Sequence, residues 1–477
     1  MKQWFDLVND IWAHSSENKY ETLNRHIECV FKYLNTIKDT YNLSAVIKNI
    51  CKYALNLDVE IVERYILEIV KYHDIGKVNP LYQIEVLKNN NLIDKNIILS
   101  KIGTSHSSLS FFIFLEYLFK NKEDFKTKHL EFIVIIILST IILQHHTDLK
   151  NLNFSEIGLD IEYKKEDFKK VYKYWDIDID NEIFSYIGKN FFDKLDLIIK
   201  RKCDFDFFSE EQLTYLYFLF KLANSLLISS DFYATLEFKK NKEFNFNNCI
   251  INDNLKKILI KKFHFTKSLS DGSYNFNFFI NQNKQKITSD NLKNFTHIND
   301  IRNWLNVQTE KNLEEALNKN YNLFYLNLPT GSGKTNISYR LALKILEKDK
   351  NIKKIYYVFP FINIIEQSYS ELGKFIPEES RIRLDSKSPI KIEVSQELEN
   401  KEDLLEKIYV DSFFMNYPIL FLSNVKFFDM FFKNEKNSNF NFYQLSNSIV
   451  ILDEIQSYDD TLWVLLAEII FKISRVL

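Results

Sequence analysis

Glycine and proline are scarce: 8 and 6 among 477 residues. Five of the six prolines lie at or after Pro329, so the N-terminal half has few chain breakers and should be dominated by helices. The four cysteines (Cys29, Cys51, Cys203, Cys249) show no paired metal or redox spacing, which suits a reducing cytoplasm. A net charge of -2 and a pI near 6.5 exclude a globally basic nucleic-acid binder. A locally basic groove is still allowed, although Lys200-Arg201-Lys202, Lys239-Lys240 and Lys261-Lys262 read first as solvated faces. The N-terminus has no charged-then-apolar leader pattern. The most apolar run, Phe132 to Leu143, is too short to cross a bilayer. The expectation is a soluble, cytoplasmic chain with no membrane partner. Abundant Lys, Asn, Ile and Phe read as base-composition bias.

What is present centres on Lys71-Tyr72-His73-Asp74-Ile75-Gly76-Lys77. A helix-forming run delivers the His-Asp pair and stops at a glycine. At helical spacing His73 shares a face with Ile66, Ile69 and Val70, and Asp74 with Leu67 and Val70. A carboxylate aimed into an apolar interior needs a counter-charge, and a metal cation is the strongest one available. Further donors lie on other apolar helices. His26 falls in the stripe Leu23, Ile27, Val30, Leu34, and His106 stands before the helix Leu109 to Phe119. His145-His146 end the helix begun at Phe132, and Asp231 lies one turn after Leu227. His14 sits in a polar segment and is discounted. A lone buried histidine is usually a satisfied core residue. Five of the nine on inward faces, with two aspartates, are harder to explain that way. Imidazoles with a carboxylate suit a first-row transition metal.

In order and spacing, His26, His73-Asp74, His106, His145-His146 and Asp231 resemble the HD-type metallophosphohydrolases. The His-His doublet and the Asp231 segment resemble most the nuclease domain of the CRISPR-associated type I helicase-nuclease. The resemblance implies two divalent transition-metal ions (Mn, Fe, Co or Ni) bridged by Asp74. His26, His73 and Asp231 would complete one site, and His106, His145 and His146 the other. Two ions about 3.5–4 Å apart would activate water and stabilise both reacting oxygens of a phosphodiester. Lys77 would neutralise the phosphate; the alternative is a surface lysine at a helix end.

Residues 238 to 300 read as a connecting region, with one short helix near Leu255 to Ile260 and a turn at Ser268-Leu269-Ser270-Asp271-Gly272. Beyond it, the strand-like run Leu323 to Leu328 leads into Pro329-Thr330-Gly331-Ser332-Gly333-Lys334-Thr335, then a helix over Ile337 to Leu346. This is a P-loop context. Gly331 and Gly333 let the backbone of Thr330 to Thr335 curl so that its N–H groups, Ser332 included, hold the phosphates of ATP. Lys334 would reach the β- and γ-phosphates and Thr335 would hold Mg²⁺. Further strands are expected at Lys354 to Phe359, Ile419 to Leu422 and Ser448 to Leu452, the last ending in Asp453-Glu454-Ile455-Gln456. Asp453 would position Mg²⁺ and Glu454 would polarise the attacking water. Strands alternating with helices predict a parallel sheet.

Lys334-Thr335 and Asp453-Glu454-Ile455-Gln456 resemble motifs I and II of superfamily-2 helicases. Gln456, where many relatives have histidine or aspartate, puts the coupling of ATP to DNA motion in doubt. Asn363 and Ser423 fall in weakly family-like DNA-contact segments, and Gln308 either reads adenine or is a plain helix residue. The expected architecture is multidomain: an all-α HD-type helical domain (1–240), a connecting region (241–300) and an incomplete α/β RecA-like P-loop domain (301–477). Members of the family continue with a second RecA-like domain, so this chain alone is expected neither to unwind DNA nor to turn ATP over usefully. The resemblance implies cleavage of single-stranded DNA exposed by an RNA-guided CRISPR surveillance complex, in antiviral defence. The rivals are an HD phosphohydrolase acting on nucleotides and an inactive truncated scaffold. Hydrolysis of small phosphate esters without polynucleotide cleavage favours the first, and absence of metal from the purified protein favours the second.

Overall fold

A one-turn helix, Trp4–Leu7, and then two short antiparallel strands open the computed structural model, which describes residues 4–16, 19–89, 91–92, 97–200, 208–269, 298–384, 410–457 and 460–476. Strand β1 (Trp12–Ser16) pairs with β2 (Lys19–Thr22). Trp12 stacks on Tyr20 with ring centroids 4.5 Å apart, and the Gln83 side chain bonds both the N–H and the carbonyl of Trp12. This hairpin is an addition to the expected all-helical half. Its strands are too short and too polar to announce themselves by alternation.

Thr22 caps helix α1 (Leu23–Tyr41) by accepting from the Arg25 N–H, and the stripe containing His26 faces the core as expected. Asp58 caps α2 (Val59–Tyr72), after which His73 and Asp74 lead into a tight turn, Ile75–Val78. Helix α3 (Ser107–Lys120) starts directly after His106. The helix expected from Phe132 is two pieces, α4 (His129–Ser139) and α5 (Ile141–Gln144). At the break the Ser139 and Thr140 hydroxyls donate to the carbonyls of Ile136 and Ile137, the back-bonding that bends helices. Helix α6 (Glu210–Lys240) starts with a capping box between Ser209 and Gln212 and packs along α1. Among the described residues, α6 alone is long and apolar enough to cross a membrane, yet 78% of that apolar window is buried within the structure.

The chain forms two units, Met1–Phe244 with Lys433–Tyr443, and Asn245–Phe432 with Gln444–Leu477. It therefore enters the first unit twice. The returning segment is seated on α6: the hydroxyls of Ser225 and Ser229 donate to the Phe440 carbonyl at 2.9 and 3.1 Å, and the Tyr443 N–H donates to Ser225 Oγ at 3.1 Å.

The second unit is built on a parallel sheet of order β4-β5-β3-β6: β3 Lys354–Phe359, β4 Arg381–Leu384, β5 Ile419–Ser423 and β6 Ser448–Leu452. Helices α7 (Lys334–Lys348) and α8 (Ile362–Leu372) cover it through Tyr339, Leu343 and Ile365, packed with Ile355, Tyr357, Phe359 and Phe421. β3, β5 and β6 stand where the sequence predicts strands, and β4 is additional. The run Leu323 to Leu328 is a correction: among the described residues it pairs with no strand, and Tyr325 is 80% exposed. An apolar run becomes a strand only by pairing, and among the described residues this one has no neighbouring strand. In the connecting region the helix is longer than expected, Asp253–Leu269, so Ser268 and Leu269 are helical; Ser270 to Gly272 lie outside the described residues.

Candidate metal centre and phosphate loop

The end of α2 fixes the His-Asp pair against the His106 segment because residue 76 is glycine. A Cβ there would lie 2.1 Å from the His106 carbonyl oxygen and 2.6 Å from the Ser110 nitrogen. The Gly76 N–H donates to Ser110 Oγ at 2.8 Å, and the Asn79 side chain donates to the carbonyls of Gly103 and Ser105, both at 2.9 Å. Together these place His106 over the pair. The break at Thr140 lets the chain turn so that His145 faces the same point.

All seven expected ligands converge there. His26, His73, Asp74 and Asp231 present donor atoms within 4.8 Å of one another, and Asp74, His106, His145 and His146 form a second such group. The two groups divide the Asp74 carboxylate. Oδ2 lies 3.4 Å from His26 Nε2 and 3.5 Å from His73 Nε2. Oδ1 lies 3.4 Å from both His106 Nε2 and His145 Nε2, and 3.8 Å from His146 Nε2. Asp231 Oδ1 closes the first group, 3.2 Å from His26 Nε2. Ligands held at about 2.1 Å from a common tetrahedral ion lie about 3.4 Å apart, so the spacing fits cations. Asp74 Oδ1 and the Nε2 atoms of His26, His73 and His145 are buried with no hydrogen-bond partner. Such orphaned atoms are costly unless something coordinates them. The His146 side chain, 39% exposed, and Asp231, 13%, mark the side open to solvent.

The electrostatics agree. Burial holds His145 down to about 3 and lowers His106, keeping both imidazoles neutral with lone pairs to donate. Burial opposes charge on His26 too, but Asp231, Asp74 and Glu21 around it win and raise it to about 10. Without a cation the ring holds a proton, and a cation entering must displace it. Asp74 is desolvated, yet Lys77 and the histidines keep it well below the usual carboxylate range.

Lys77 is not a surface lysine. It is buried, with Nζ 2.7 Å from Asp74 Oδ2 and donating to the Ala13 carbonyl at 3.1 Å. His14, discounted from its polar surroundings, stands edge-on to the His26 ring at 4.8 Å, with Nε2 3.3 Å from Thr235 Oγ1. Glu21, which the sequence reading did not single out, faces the same ring, its Oε2 3.4 Å from His26 Nδ1. Only the β1–β2 pairing, which sets His14 opposite Glu21, would have revealed either.

In the second unit Gly331 and Gly333 take φ of 80° and 82°, a region that favours glycine, and α7 begins at Lys334 with Thr335 in its first turn. Between the glycines, the buried Ser332 Oγ has no hydrogen-bond partner. Thr330 stands beside Gly331, whose carbonyl accepts from Arg302 Nε at 2.9 Å; Arg302 was not anticipated. The Asp453 N–H bonds the Val358 carbonyl at 2.9 Å, carrying the acidic pair off the end of β6. Lys334 Nζ lies 3.5 Å from Glu454 Oε1, so loop and acidic pair meet. Glu454 has φ of 48°, a strained value for a residue with a side chain, and Gln456 Nε2 donates to its carboxylate. Burial raises Asp453. Gln308 bonds Asn312 on its own helix, as a plain helix residue does, and Asn363 lies in the first turn of α8. Ser423 Oγ accepts from the Lys426 N–H at 3.3 Å, a local turn bond.

The fold and the two sites define a class: an HD-type helical domain with a buried cluster suited to two cations, followed by a RecA-like domain with a phosphate loop. Residues 12–184 match the family model described as "Cas3, HD domain", and residues 301–463 the model "Type III restriction enzyme, res subunit". The chain thus joins a Cas3-like HD domain to a helicase-type domain. No curated protein matches the chain. Similar solved structures include crystal structures of T. fusca Cas3-ATP and Cas3-ADP, at 13% and 12% identity with TM-scores of 0.47 and 0.43. Each alignment covers 97% of this chain and 48% of the other, so the chain spans about half the length of those proteins.

Proposed function

We propose that the HD unit is a divalent-metal-dependent nuclease that cleaves single-stranded DNA, and that the second unit binds ATP with Mg²⁺ and belongs to a helicase or translocase module. The observation that supports the first part best is the sharing of Asp74, Oδ2 toward His26 and His73, Oδ1 toward His106 and His145. His26, His73 and Asp231 with one oxygen, and His106, His145 and His146 with the other, would hold two ions. When bound, such a pair polarises water and neutralises phosphate charge. The protein's own part is to fix the ligands in an apolar shell and keep His106 and His145 unprotonated. Lys77 holds Asp74 ionised, and solvent reaches the centre on the side of His146 and Asp231. In the second unit, Thr330 to Thr335 would cradle the phosphates, Asp453 would hold Mg²⁺ and Glu454 would orient water. Likeness to Cas3 supports a CRISPR role in the cytoplasm, with an RNA-guided complex supplying the displaced strand.

The test is cleavage of circular single-stranded DNA with Mn²⁺, Co²⁺, Ni²⁺ or Mg²⁺, with and without ATP, comparing wild type and Asp74→Ala. Metal-dependent cleavage absent from the variant is the expected result. Hydrolysis of small phosphate esters with no DNA cleavage would replace the nuclease by a nucleotide phosphohydrolase. Inactivity with every metal on both substrates would remove the enzyme reading.

A further inference from the structure

Three histidines of the centre have no exposed ring surface. Two of them orient their rings in the same way. His73 Nδ1 lies 2.6 Å from the Val70 carbonyl and His145 Nδ1 lies 2.7 Å from the Ile142 carbonyl, each three residues back on the helix that the histidine ends. The proton is held on Nδ1 and Nε2 is offered to Asp74. His26 cannot do this, because it sits inside α1, where the preceding carbonyls are engaged in helical bonds. Its Nδ1 faces Glu21 instead, 3.4 Å from Oε2.

Glu21 is itself unusual. It is 3% exposed, on a two-stranded hairpin rather than on any of the ligand-bearing helices, and its Oε2 has no hydrogen-bond partner. His26 Nδ1 has none either. The cross-strand neighbour of Glu21 is His14. A desolvated carboxylate facing one imidazole nitrogen, with that ring's other nitrogen aimed at a cation group, has the layout of a carboxylate–histidine–metal relay.

We infer that Glu21 is a positioning residue for the first cation group: its carboxylate accepts the Nδ1 proton of His26, locking the ring so that Nε2 faces Asp74 and Asp231 as a strengthened donor. The inference rests on the two-cation reading above. It makes the two halves of the centre unequal. The His26 half carries three carboxylates (Glu21, Asp74, Asp231), while the His145 half shares only Asp74 and is otherwise imidazole.

The experiment uses the full chain as wild type, Glu21→Gln and Glu21→Ala, with Co²⁺ as the probe. The expected result is that Glu21→Ala weakens one of two bound ions about 10–100-fold and leaves the other within about threefold. Glu21→Gln, which still accepts through its amide oxygen, should fall between. A second readout needs no metal: selective ¹⁵N-histidine labelling should show a downfield, slowly exchanging His26 Nδ1–H in wild type that is lost in Glu21→Ala. Should Glu21→Ala fail to fold, Glu21→Gln with an unchanged denaturation midpoint decides by the same two readouts. Wild-type affinities together with an unchanged Nδ1–H signal would overturn the inference. A wild type that binds no Co²⁺ would instead overturn the two-cation reading, and the Nδ1–H signal would still decide whether Glu21 orients the ring.

Discussion

Five imidazole nitrogens and one ammonium surround the Asp74 carboxylate within 3.8 Å, a crowding that neutral packing does not produce. That cluster was largely legible, because each of its residues falls at helical spacing within an apolar stripe or at its end. What was not legible is what surrounds it. His14 and Glu21 lie on short polar strands whose pairing, not their composition, turns them inward. Lys77 was legible as a neighbour of the pair but not as its buried counter-charge. Burial also marks a lysine away from either site. Lys354, at the start of β3, is fully buried, donates to the Met415 carbonyl and Gln444, and is pulled by burial from 10.5 down to about 7. Between pH 7 and about 10 the unfolded chain binds a proton that the folded one does not, so this residue makes stability rise with pH. Urea denaturation across that range should show the rise in wild type and a flatter profile in Lys354→Met.

Helix ends and one turn carry the precision. α2 delivers His73-Asp74, the Thr140 break turns the chain before His145, and Gly76 lets the turn pass the His106 carbonyl. Replacing Gly76 by alanine puts a methyl 2.1 Å from that backbone oxygen, which must move. The expected cost is about 1–3 kcal/mol of stability, with weaker binding of the ion served by His106; an unchanged midpoint and unchanged affinity would contradict this. At this scale the sequence spoke clearly where an element is long and periodic, as in α1 and α2, or fully buried, as in β3. It spoke poorly where partners decide. The run Leu323 to Leu328 is apolar yet pairs with no strand among the described residues, whereas β4, with two arginines, joins the sheet.

Across the whole molecule the chain forms two units, each with its own cluster of charged side chains. Lys334→Ala removes the cation that faces Glu454 and should abolish binding of a fluorescent ATP analogue while leaving metal-dependent DNA cleavage unchanged. Loss of both activities would mean that the nuclease depends on the phosphate loop. The fold of both units could be read from periodicity and motif. The return of Lys433–Tyr443 to the first unit could not, because the serines that receive it, Ser225 and Ser229, look like ordinary positions of an apolar helix.

The central claim is that one carboxylate is shared by two cations, and Mn²⁺ binding followed by electron paramagnetic resonance tests it most directly. The expected result is two ions per wild-type chain with the spectrum of an exchange-coupled pair, and loss of that coupling in Asp74→Asn. One ion per chain, or two uncoupled ions indifferent to Asp74→Asn, would contradict it.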